Sequence, residues 1–464
     1  MTVMHHFRGE IGRVAASLLL FAATACGQWQ RVGREAPDNT GQVVPRLFDN
    51  DRLFGSLGLM VAPPPLQFVA GFDFFAARSP DTTLATLGLS LPNSALTFRR
   101  SSGGYEARYS VEVRAQRGGE TLRQVSTTES VRVADLEATR RAEESVVFQE
   151  FITLTPGEVV MRVSVRDRYG GGASQTVDTL VVPRFDDAPG FSSLTPIYDG
   201  QPRPTRDLIP DIVVNPRSTV SYGRDTLRLY MEAYGLEDRV PITLRASVLE
   251  QGLQELWADT LELTTHGTIP VLLVTIPPDR LQMGQVQFYV STQDGAVAAR
   301  VNTLVAFSKE WAVSNFEETM SMLRYFGPDG AMQAMLEAPI EQRPAMWKAF
   351  WDATDPDPNT AENEAMTEYF KRLETANQLF GETNKPGWMT DRGEVYISLG
   401  PADETFDQSG QVQGVEGVRY IQWDYIGARI SLIFWDRDGF GHFEMTPDSR
   451  QAFREAVSRL KRGT

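Results

Sequence analysis

The chain has 464 residues, of which 42% are hydrophobic and 23% are charged, and its formal net charge is −15. This length is too great for one hydrophobic core and predicts about three domains. The acidic charge argues against a nucleic-acid partner, because phosphate backbones repel a negatively charged surface. The single cysteine excludes a disulfide within the chain and a four-thiolate metal site.

Residues 1–25 have the features of a secretory signal peptide. Arg8 and Arg13 precede an apolar run, and the small residues 22–25 follow it. At about a dozen residues, the run is too short to span a bilayer. We therefore predict that this segment directs export and is removed.

The sequence AATAC, residues 22–26, resembles a bacterial lipobox. This resemblance implies that Cys26 is diacylated and anchors the protein to a membrane. Ala23 stands where the family prefers Leu, and the alternative is an ordinary signal peptide cleaved after Ala25. Gly27 is not the acid that often retains lipoproteins at the inner membrane. We therefore expect an outer-membrane lipoprotein that faces the periplasm or the exterior.

Two β-rich regions follow a segment, residues 26–60, that is predicted to be a polar tether. In residues 105–115, apolar and polar side chains alternate, which is typical of a half-buried antiparallel strand. The segments GEVVMRVSVRD, from Gly157, and GQVQFYVSTQD, from Gly284, share one spacing of glycine, apolar residues and aspartate. Unless this similarity is coincidental, it predicts two antiparallel β-sandwich modules of the immunoglobulin-like or fibronectin-like type, at 61–185 and 206–308.

Beyond Lys309 the hydrophobic period becomes helical, and we predict a helical segment over 309–381. Asn359 is the expected N-cap of its main helix, and Gly381 ends it. Residues 382–464 are predicted to form a small α+β C-terminal domain. Its expected strands are 394–400, 419–425, 428–436 and 442–445, and a last helix starts near Pro447.

The sequence GWMTD followed by RGEVYISLGPADE, residues 387–404, closely resembles the GWxTD domain, a module of predicted bacterial lipoproteins and envelope proteins. The similarity extends over about 310–450. Ala402 departs from the family pattern, in which a second proline is more usual. The resemblance implies an architecture and a cellular compartment, and it brings no established catalytic residues.

From the residues themselves, we interpret this motif mainly as a structural element. Trp388 is expected to fill the junction between helix and sheet, and Gly393 to allow a positive φ in a turn before the strand. The alternative is an active-site loop. The motif and structural positions are Gly387, Trp388, Thr390, Asp391, Arg392, Gly393, Gly400, Pro401, Asp403 and Glu404.

Candidate catalytic or metal-binding residues are few. Beyond the signal segment the chain keeps His266 and His442, which argues against a histidine-rich metal site. His442 is a candidate base, with Glu444 on the same strand face and Asp436 or Asp438 at the adjacent hairpin. The competing interpretation is an exposed polar strand residue. The candidate catalytic residues are Asp391, Arg392, His442 and Glu444.

The acids of DATDPDPN, namely Asp352, Asp355 and Asp357, alternate as calcium ligands do. Helix-capping chemistry explains them more readily, because the glycine and the closing glutamate of a calcium loop are missing. We therefore predict no metal and no cofactor.

The sequence leaves two classes of function open. The favoured hypothesis is a lipid-anchored cell-envelope protein with a structural or binding role, whose partner is an envelope protein or a glycan. The alternative is an envelope hydrolase with a cleft near Asp391, Arg392, Asp403, Glu404 and His442.

Overall fold

The structure, a computed structural model, describes residues 30–33, 50–136, 138–139, 145–186, 188–249, 252–307, 316–360, 363–382, 385–408 and 418–463. The predicted signal peptide and Cys26 lie outside these residues. The chain forms two compact units, one of residues Gln42–Gln378 and one that combines Met1–Gly41 with Leu379–Thr464. Among the described residues, no helix has the length and apolar character needed to cross a bilayer.

Two short elements occupy the predicted tether. Strand β1 (Gln30–Gly33) belongs to the C-terminal unit, and helix α1 (Asn50–Ser56) precedes the first β-rich module. The prediction of a polar tether over 26–60 therefore does not hold at these two elements. Backbone hydrogen bonds to a sheet edge, which composition does not reveal, fix β1 as a strand.

The first sandwich is built from two antiparallel sheets. Its strands are β2 (Met60–Val61), β3 (Val69–Ala76), β4 (Thr83–Pro92), β5 (Arg99–Ser101), β6 (Gly104–Arg117), β7 (Glu120–Val133), β8 (Ser145–Leu154), β9 (Gly157–Asp167) and β10 (Ala173–Val182). One sheet has the order β2-β3-β4-β8, and the other has the order β10-β9-β6-β5 with β7 also paired to β6. Inward-facing residues such as Leu87, Leu89, Val111 and Val163 fill the core.

The second sandwich repeats this plan. Its strands are β11 (Gly190–Phe191), β12 (Thr195–Gln201), β13 (Asp211–Val214), β14 (Thr219–Ser221), β15 (Leu227–Tyr234), β16 (Pro241–Val248), β17 (Gln254–Glu262), β18 (Thr264–His266), β19 (Ile269–Ile276), β20 (Gly284–Thr292) and β21 (Ala298–Ala306). The sheets have the orders β13-β12-β15-β19-β18, with β11 paired to β15, and β14-β21-β20-β16-β17.

The sequence repeat corresponds to equivalent strands. The repeats from Gly157 and Gly284 are β9 and β20, and each pairs with the following strand and with the first strand of an earlier hairpin. In each sandwich, three strands (β3-β4-β8 or β12-β15-β19) oppose four (β10-β9-β6-β7 or β21-β20-β16-β17). The prediction of two fibronectin-like modules is confirmed.

A buried ion pair of the second sandwich lies at its junction with the first. Arg203 donates to both carboxylate oxygens of Glu232 at 2.8 Å, and both side chains are at most 1% exposed. Arg203 also donates to the carbonyl of Ala76 in β3 at 2.6 Å, and the Tyr234 hydroxyl accepts from the amide of Ala76 at 2.8 Å. Removing one member of this network would leave a buried charge unpaired, which is strongly destabilising.

A second contact reinforces this junction. The side-chain amide of Gln149 donates to the carbonyl of Ile212 at 2.8 Å and accepts from the amide of Val214 at 2.9 Å. It therefore pairs with β13 as a strand backbone would. Close by, a β-carbon on Gly88 would lie 2.6 Å from the side chain of Val214, so a larger residue there would require Val214 to shift.

The helical segment packs on the second sandwich. Its helices are α2 (Phe316–Met322), α3 (Ala331–Glu337), α4 (Arg343–Thr354) and α5 (Glu364–Phe380). Phe307, after β21, stacks on Phe370 of α5 at 4.8 Å and meets Trp347 of α4 edge-on. The sequence-based division at 309 therefore cuts through a shared core. The boundary at 309 was predicted from a change in the hydrophobic period, and this change does not show which elements pack together.

Helix α5 begins later than predicted. Asn363, not Asn359, is its cap: the Asn363 side-chain oxygen accepts from the amide of Met366 at 3.0 Å, and its nitrogen donates to the carbonyl of Trp351. Asn359 instead bonds to Asp357. The hydrogen bond to Trp351 explains why Asn363 caps the helix instead of Asn359, because it fixes the buried Asn363 against α4.

The C-terminal unit is an α+β domain, as predicted. It contains helices α6 (Asp391–Leu399) and α7 (Pro447–Gly463) and strands β22 (Glu404–Gln408), β23 (Arg419–Tyr425), β24 (Ile430–Asp436) and β25 (Phe443–Met445). These strands form one antiparallel sheet of order β1-β22-β23-β24-β25. Phe380 packs against Trp423, which in turn meets Phe434 edge-on in the core.

The predicted strand over 394–400 is wrong, because this segment is part of α6. The alternation of Val395, Ile397 and Leu399 favoured a strand. The buried set, however, includes Arg392, Val395 and Tyr396, which follows the three- and four-residue spacing of a helix.

Candidate functional site

The GWxTD motif forms a tight turn that starts α6. Residues Gly387–Met389 make one 3-10 turn, and Thr390 is the N-cap of the helix. The Thr390 hydroxyl donates to the carbonyl of Gly387 at 2.8 Å and accepts from the amide of Gly393 at 3.1 Å. One side chain therefore closes the turn and caps the helix.

Gly393 serves close packing, and the predicted positive φ is wrong. Gly393 has helical geometry and is absent from the residues with positive φ in the described chain. A β-carbon at this position would lie 1.9 Å from the carbonyl oxygen of Gly387. The turn can pass over the first turn of α6 only because Gly393 has no side chain.

Trp388 is 5% exposed, as its structural interpretation requires. Arg392, the second residue of α6, is also buried. Its guanidinium lies over the rings of Phe443 at 4.2 Å and Phe380 at 5.3 Å. These contacts fix α6 against the sheet. Arg392 is therefore enclosed by aromatic rings and is absent from the residues that line the cleft described below.

Asp391 links α6 to the edge strand β25 and to α7. Its carboxylate accepts from the amide of Met445 at 2.7 Å and forms an ion pair with Arg450. Arg450 also donates to Glu394 at 2.7 Å. Burial acts to lower the pKa of Arg450, but its bonds to Asp391 and Glu394 raise the pKa overall. Asp391 is therefore part of a charge network and not a simple turn residue.

Glu382 makes a parallel contact two residues away along β25. Its carboxylate accepts from the amide of Phe443 at 3.3 Å. Burial raises the pKa of Glu382, and the Phe443 amide and the charges of Arg392, His442 and Lys385 oppose this rise. Glu382 and Asp391 thus bind alternate outward-facing amides of the edge strand, which would otherwise be open to another strand.

These contacts border a cleft of about 540 Å³ in the C-terminal unit. Its lining is mixed in charge and consists of Glu382, Lys385, Asp391, His442, Phe443, Glu444, Met445 and Arg450. Three of the candidates from the sequence, Asp391, His442 and Glu444, therefore come together here.

Asp403 and Glu404 do not belong to the cleft lining. Asp403 accepts from the amide of Ile426 at 2.7 Å, where it holds the turn between β23 and β24. Glu404 opens β22. The grouping of these two acids with His442 is therefore wrong, because each supports a different element.

His442 meets one of its two expected carboxylate partners. Its Nδ1 lies 3.4 Å from Asp438, and both side chains are exposed. Hydrogen bonds, chiefly from the amide of Phe440, lower the pKa of Asp438, and His442 adds to this effect. Asp436 is instead buried and accepts from the amides of Gly439 and Gly441.

The acids of DATDPDPN act in local contacts. Asp352 pairs with Lys348 at 2.5 Å, and Asp355 accepts from the amide of Asp357 at 3.1 Å. Among the described residues, no group of three or more His, Cys, Asp or Glu side chains is arranged to hold a metal ion.

Sequence reasoning missed Glu382, Lys385 and Arg450. Arg450 lies 56 residues after Glu394, and only the tertiary fold brings them together. A helix-start pattern, Thr390 followed by Asp391 and then by Arg392, Val395 and Tyr396 at helical spacing, could have corrected the strand prediction.

The family model of the GWxTD domain matches residues 287–414. The chain therefore contains a GWxTD domain, as its motif indicated. The matched region begins within β20 and so includes the last hairpin of the second sandwich. No curated protein matches the sequence.

Several solved structures are similar in part. The fibronectin(III)-like modules of Clostridium thermocellum CbhA are 12% identical, with 51% of this chain and 94% of that chain covered and a TM-score of 0.14. The BSP domain of a biofilm associated protein is 7% identical, with 51% of each chain covered and a TM-score of 0.16. Chicken MD-1 complexed with lipid IVa is 14% identical, with 26% and 94% covered and a TM-score of 0.14.

Proposed function

We propose that this protein is a lipid-anchored protein of the bacterial cell envelope with a structural and binding role. In this proposal, Cys26 carries the lipid anchor in the outer membrane, and the cleft beside the GWxTD motif receives part of an envelope protein or glycan. The cleft is the observation that carries the binding role. It is the place where Asp391, His442 and Glu444 meet.

The cleft is suited to binding because its walls are already fixed. Glu382 and Asp391 bind the backbone of β25, and Arg450 holds Asp391 and Glu394 together. Groups held in place before a ligand arrives lose little conformational entropy on binding. The junction of the two sandwiches, with Arg203 paired to Glu232, supports the structural role in the same way.

The hydrolase alternative depends on His442 and Asp438, whose contact places a histidine and a carboxylate beside the cleft. Among the described residues that line the cleft there is no serine, threonine or cysteine to act as a nucleophile. Asp391 is already engaged by Met445 and Arg450, which weakens it as a base. Binding is therefore the better-supported function.

Photocrosslinking in cells tests the binding role. A photoreactive amino acid replaces Glu444, which lines the cleft, and in a control it replaces Glu455, which lies on the exposed side of α7. We expect discrete crosslinked adducts from position 444 and none from position 455. Adducts of equal yield at both positions, or none at either, would contradict a binding cleft.

A separate assay addresses the alternative. The purified protein is incubated with envelope polysaccharide and with peptidoglycan peptides, and product release is measured for the wild type and for His442→Ala. Turnover that is lost in the variant would establish the hydrolase in place of the binding protein.

Metabolic labelling tests the anchor. A palmitate analogue should label the wild-type chain and leave Cys26→Ser unlabelled, and fractionation should place the wild type with outer-membrane markers. Equal labelling of both chains would disprove lipidation at Cys26.

A further inference from the structure

The register of the C-terminal sheet places the start of β1 and one hairpin at the same end. Gln30 pairs with Asp407, and β22 ends at the next residue. Following the antiparallel pairs across the sheet, Arg419 lies opposite Asp436, and Asp436 lies opposite Phe443. The β24–β25 hairpin, residues 437–442, therefore projects from the end of the sheet at which β1 begins.

The chain between this end and the proposed lipid is short. Three residues, 27–29, lie between Cys26 and Gln30. The four Cα-to-Cα steps from Cys26 to Gln30 span at most about 14 Å when fully extended. If Cys26 is acylated, as the proposed function holds, the start of β1 must stay within this distance of the bilayer surface. The hairpin lies at the same end of the sheet as the start of β1. Across the sheet, the two are separated by three strand spacings, about 15 Å.

The hairpin at this end holds out one large apolar side chain. Phe440 is 79% exposed. Its loop is well ordered by hydrogen bonds: Asp436 accepts from Gly439 and Gly441 at 2.9 and 2.8 Å, and Asp438 accepts from the amide of Phe440 at 3.1 Å. An exposed phenylalanine on a fixed turn has no role in the core and gains free energy wherever an apolar phase is near.

The charges beside Phe440 favour a neutral surface. Arg437 lies over the ring of Trp435 at 3.8 Å, and Asp438 and Glu444 bring negative charge near the hairpin. Acidic groups are repelled by anionic headgroups, so the partner that fits is a bilayer rich in zwitterionic phospholipid.

We propose that the C-terminal domain lies against the membrane through this end of its sheet, with Phe440 inserted into the bilayer interface. The surface around Phe440 thus binds the phospholipid bilayer to which the chain is anchored. This proposal rests on lipidation of Cys26.

The chain offers a direct test, because its only cysteine is the proposed lipid site. Single cysteines are introduced as Phe440→Cys and, as the control, Ile426→Cys. Ile426 is 69% exposed and lies at the turn between β23 and β24, at the opposite end of the sheet. Each full-length lipidated variant carries a polarity-sensitive fluorophore and is reconstituted into phosphatidylcholine vesicles.

We expect emission at position 440 to shift to shorter wavelength and to be quenched by spin-labelled lipids in the bilayer. Position 426 should show neither change. Inserting a flexible Gly/Ser segment of about 20 residues between Trp29 and Gln30 should reduce the quenching at 440, because the linker relaxes the distance bound. Replacing a fifth of the lipid by phosphatidylglycerol should also reduce the quenching at position 440.

The outcomes separate this proposal from the one on which it rests. Vesicle flotation first shows whether the protein is anchored: if it does not float, lipidation at Cys26 is disproved. Among anchored proteins, equal quenching at 426 and 440, or a shift at 440 that lipid quenchers do not affect, overturns the membrane contact. The second result would mean that another protein surface covers Phe440.

Discussion

Gly393 and Gly387 approach so closely that a β-carbon on Gly393 would lie 1.9 Å from the carbonyl oxygen of Gly387. That carbonyl also accepts from the hydroxyl of Thr390. The turn and the first turn of α6 are therefore one interlocked structure. The small residues of the motif are explained by packing, without reference to a ligand.

We expect Gly393→Ala to destabilise the C-terminal unit strongly, since the backbone must separate to admit the methyl group. The cost should reach about 1–3 kcal/mol or more, the range for overpacking a filled site. Gly427→Ala is the matched control, because a β-carbon there meets no atom within 4 Å. Thermal unfolding of both variants checks this. Equal melting temperatures would contradict the close contact.

Trp388→Ala should lower the free energy of unfolding by about 3–5 kcal/mol, the usual cost of removing a buried aromatic side chain. The exposed Phe440→Ala serves as the control and should change stability little. Denaturant titration measures both. A Trp388→Ala protein with wild-type stability that fails to bind its partner would instead make the motif a recognition loop.

Asp391→Asn tests the network that joins α6, β25 and α7. The amide can still accept from Met445, but the ion pair with Arg450 is lost. We expect a coupling free energy of about 0.5–3 kcal/mol between Asp391→Asn and Arg450→Met in a double-mutant cycle. Additive effects of the two substitutions would show that the ion pair contributes nothing.

The carboxyl group of Asp73 should make the stability of the larger unit depend on pH. It lies on β3 opposite Thr86; burial raises its pKa to about 7, and the nearby side chain of Thr195 opposes this rise. Because the folded state holds this proton more tightly than the unfolded state, stability should fall as the pH rises from about 4 to 7. Asp73→Asn should flatten this dependence and raise the melting temperature at pH 8 more than at pH 5. A variant with the wild-type pH dependence would contradict the assignment.

A fragment that starts at Lys309 should not melt cooperatively. It exposes the face of α5 on which Phe307 stacks, and it lacks β1. By contrast, residues 379–464 joined through a flexible linker to a segment that contains Gln30–Gly33 should fold, because they form one compact unit. Calorimetry of both fragments decides between this division and the one that the sequence predicted.

Most of the β-sheet architecture could be predicted, because a period of two and turn residues determine it locally. The repeat from Gly157 and Gly284 even located equivalent strands. The local pattern misled at α6, where Val395 and Ile397 favour a strand. There the cap at Thr390 and the burial of Arg392 outweigh intrinsic preference.

The candidate site was predicted only in part. Asp391, His442 and Glu444 come together, but Glu382 and Arg450 reach the cleft through contacts across the fold. No local pattern in a single sequence contains those contacts. The role of β1 was hidden for the same reason, since four residues of an edge strand carry too little pattern to be recognised.

The pairing of β1 with β22 also sets an order of events during synthesis. Gln30–Gly33 leaves the ribosome before either sandwich, yet its partner, Glu404–Gln408, is made only after both. Both sandwiches can fold in the meantime, whereas the C-terminal sheet can close only by a very long loop closure, which slows folding. Throughout this interval β1 has not yet paired with β22, and its backbone can form hydrogen bonds with another strand. A nascent chain that stalls before residue 404 would thus present it to other nascent chains or to a chaperone.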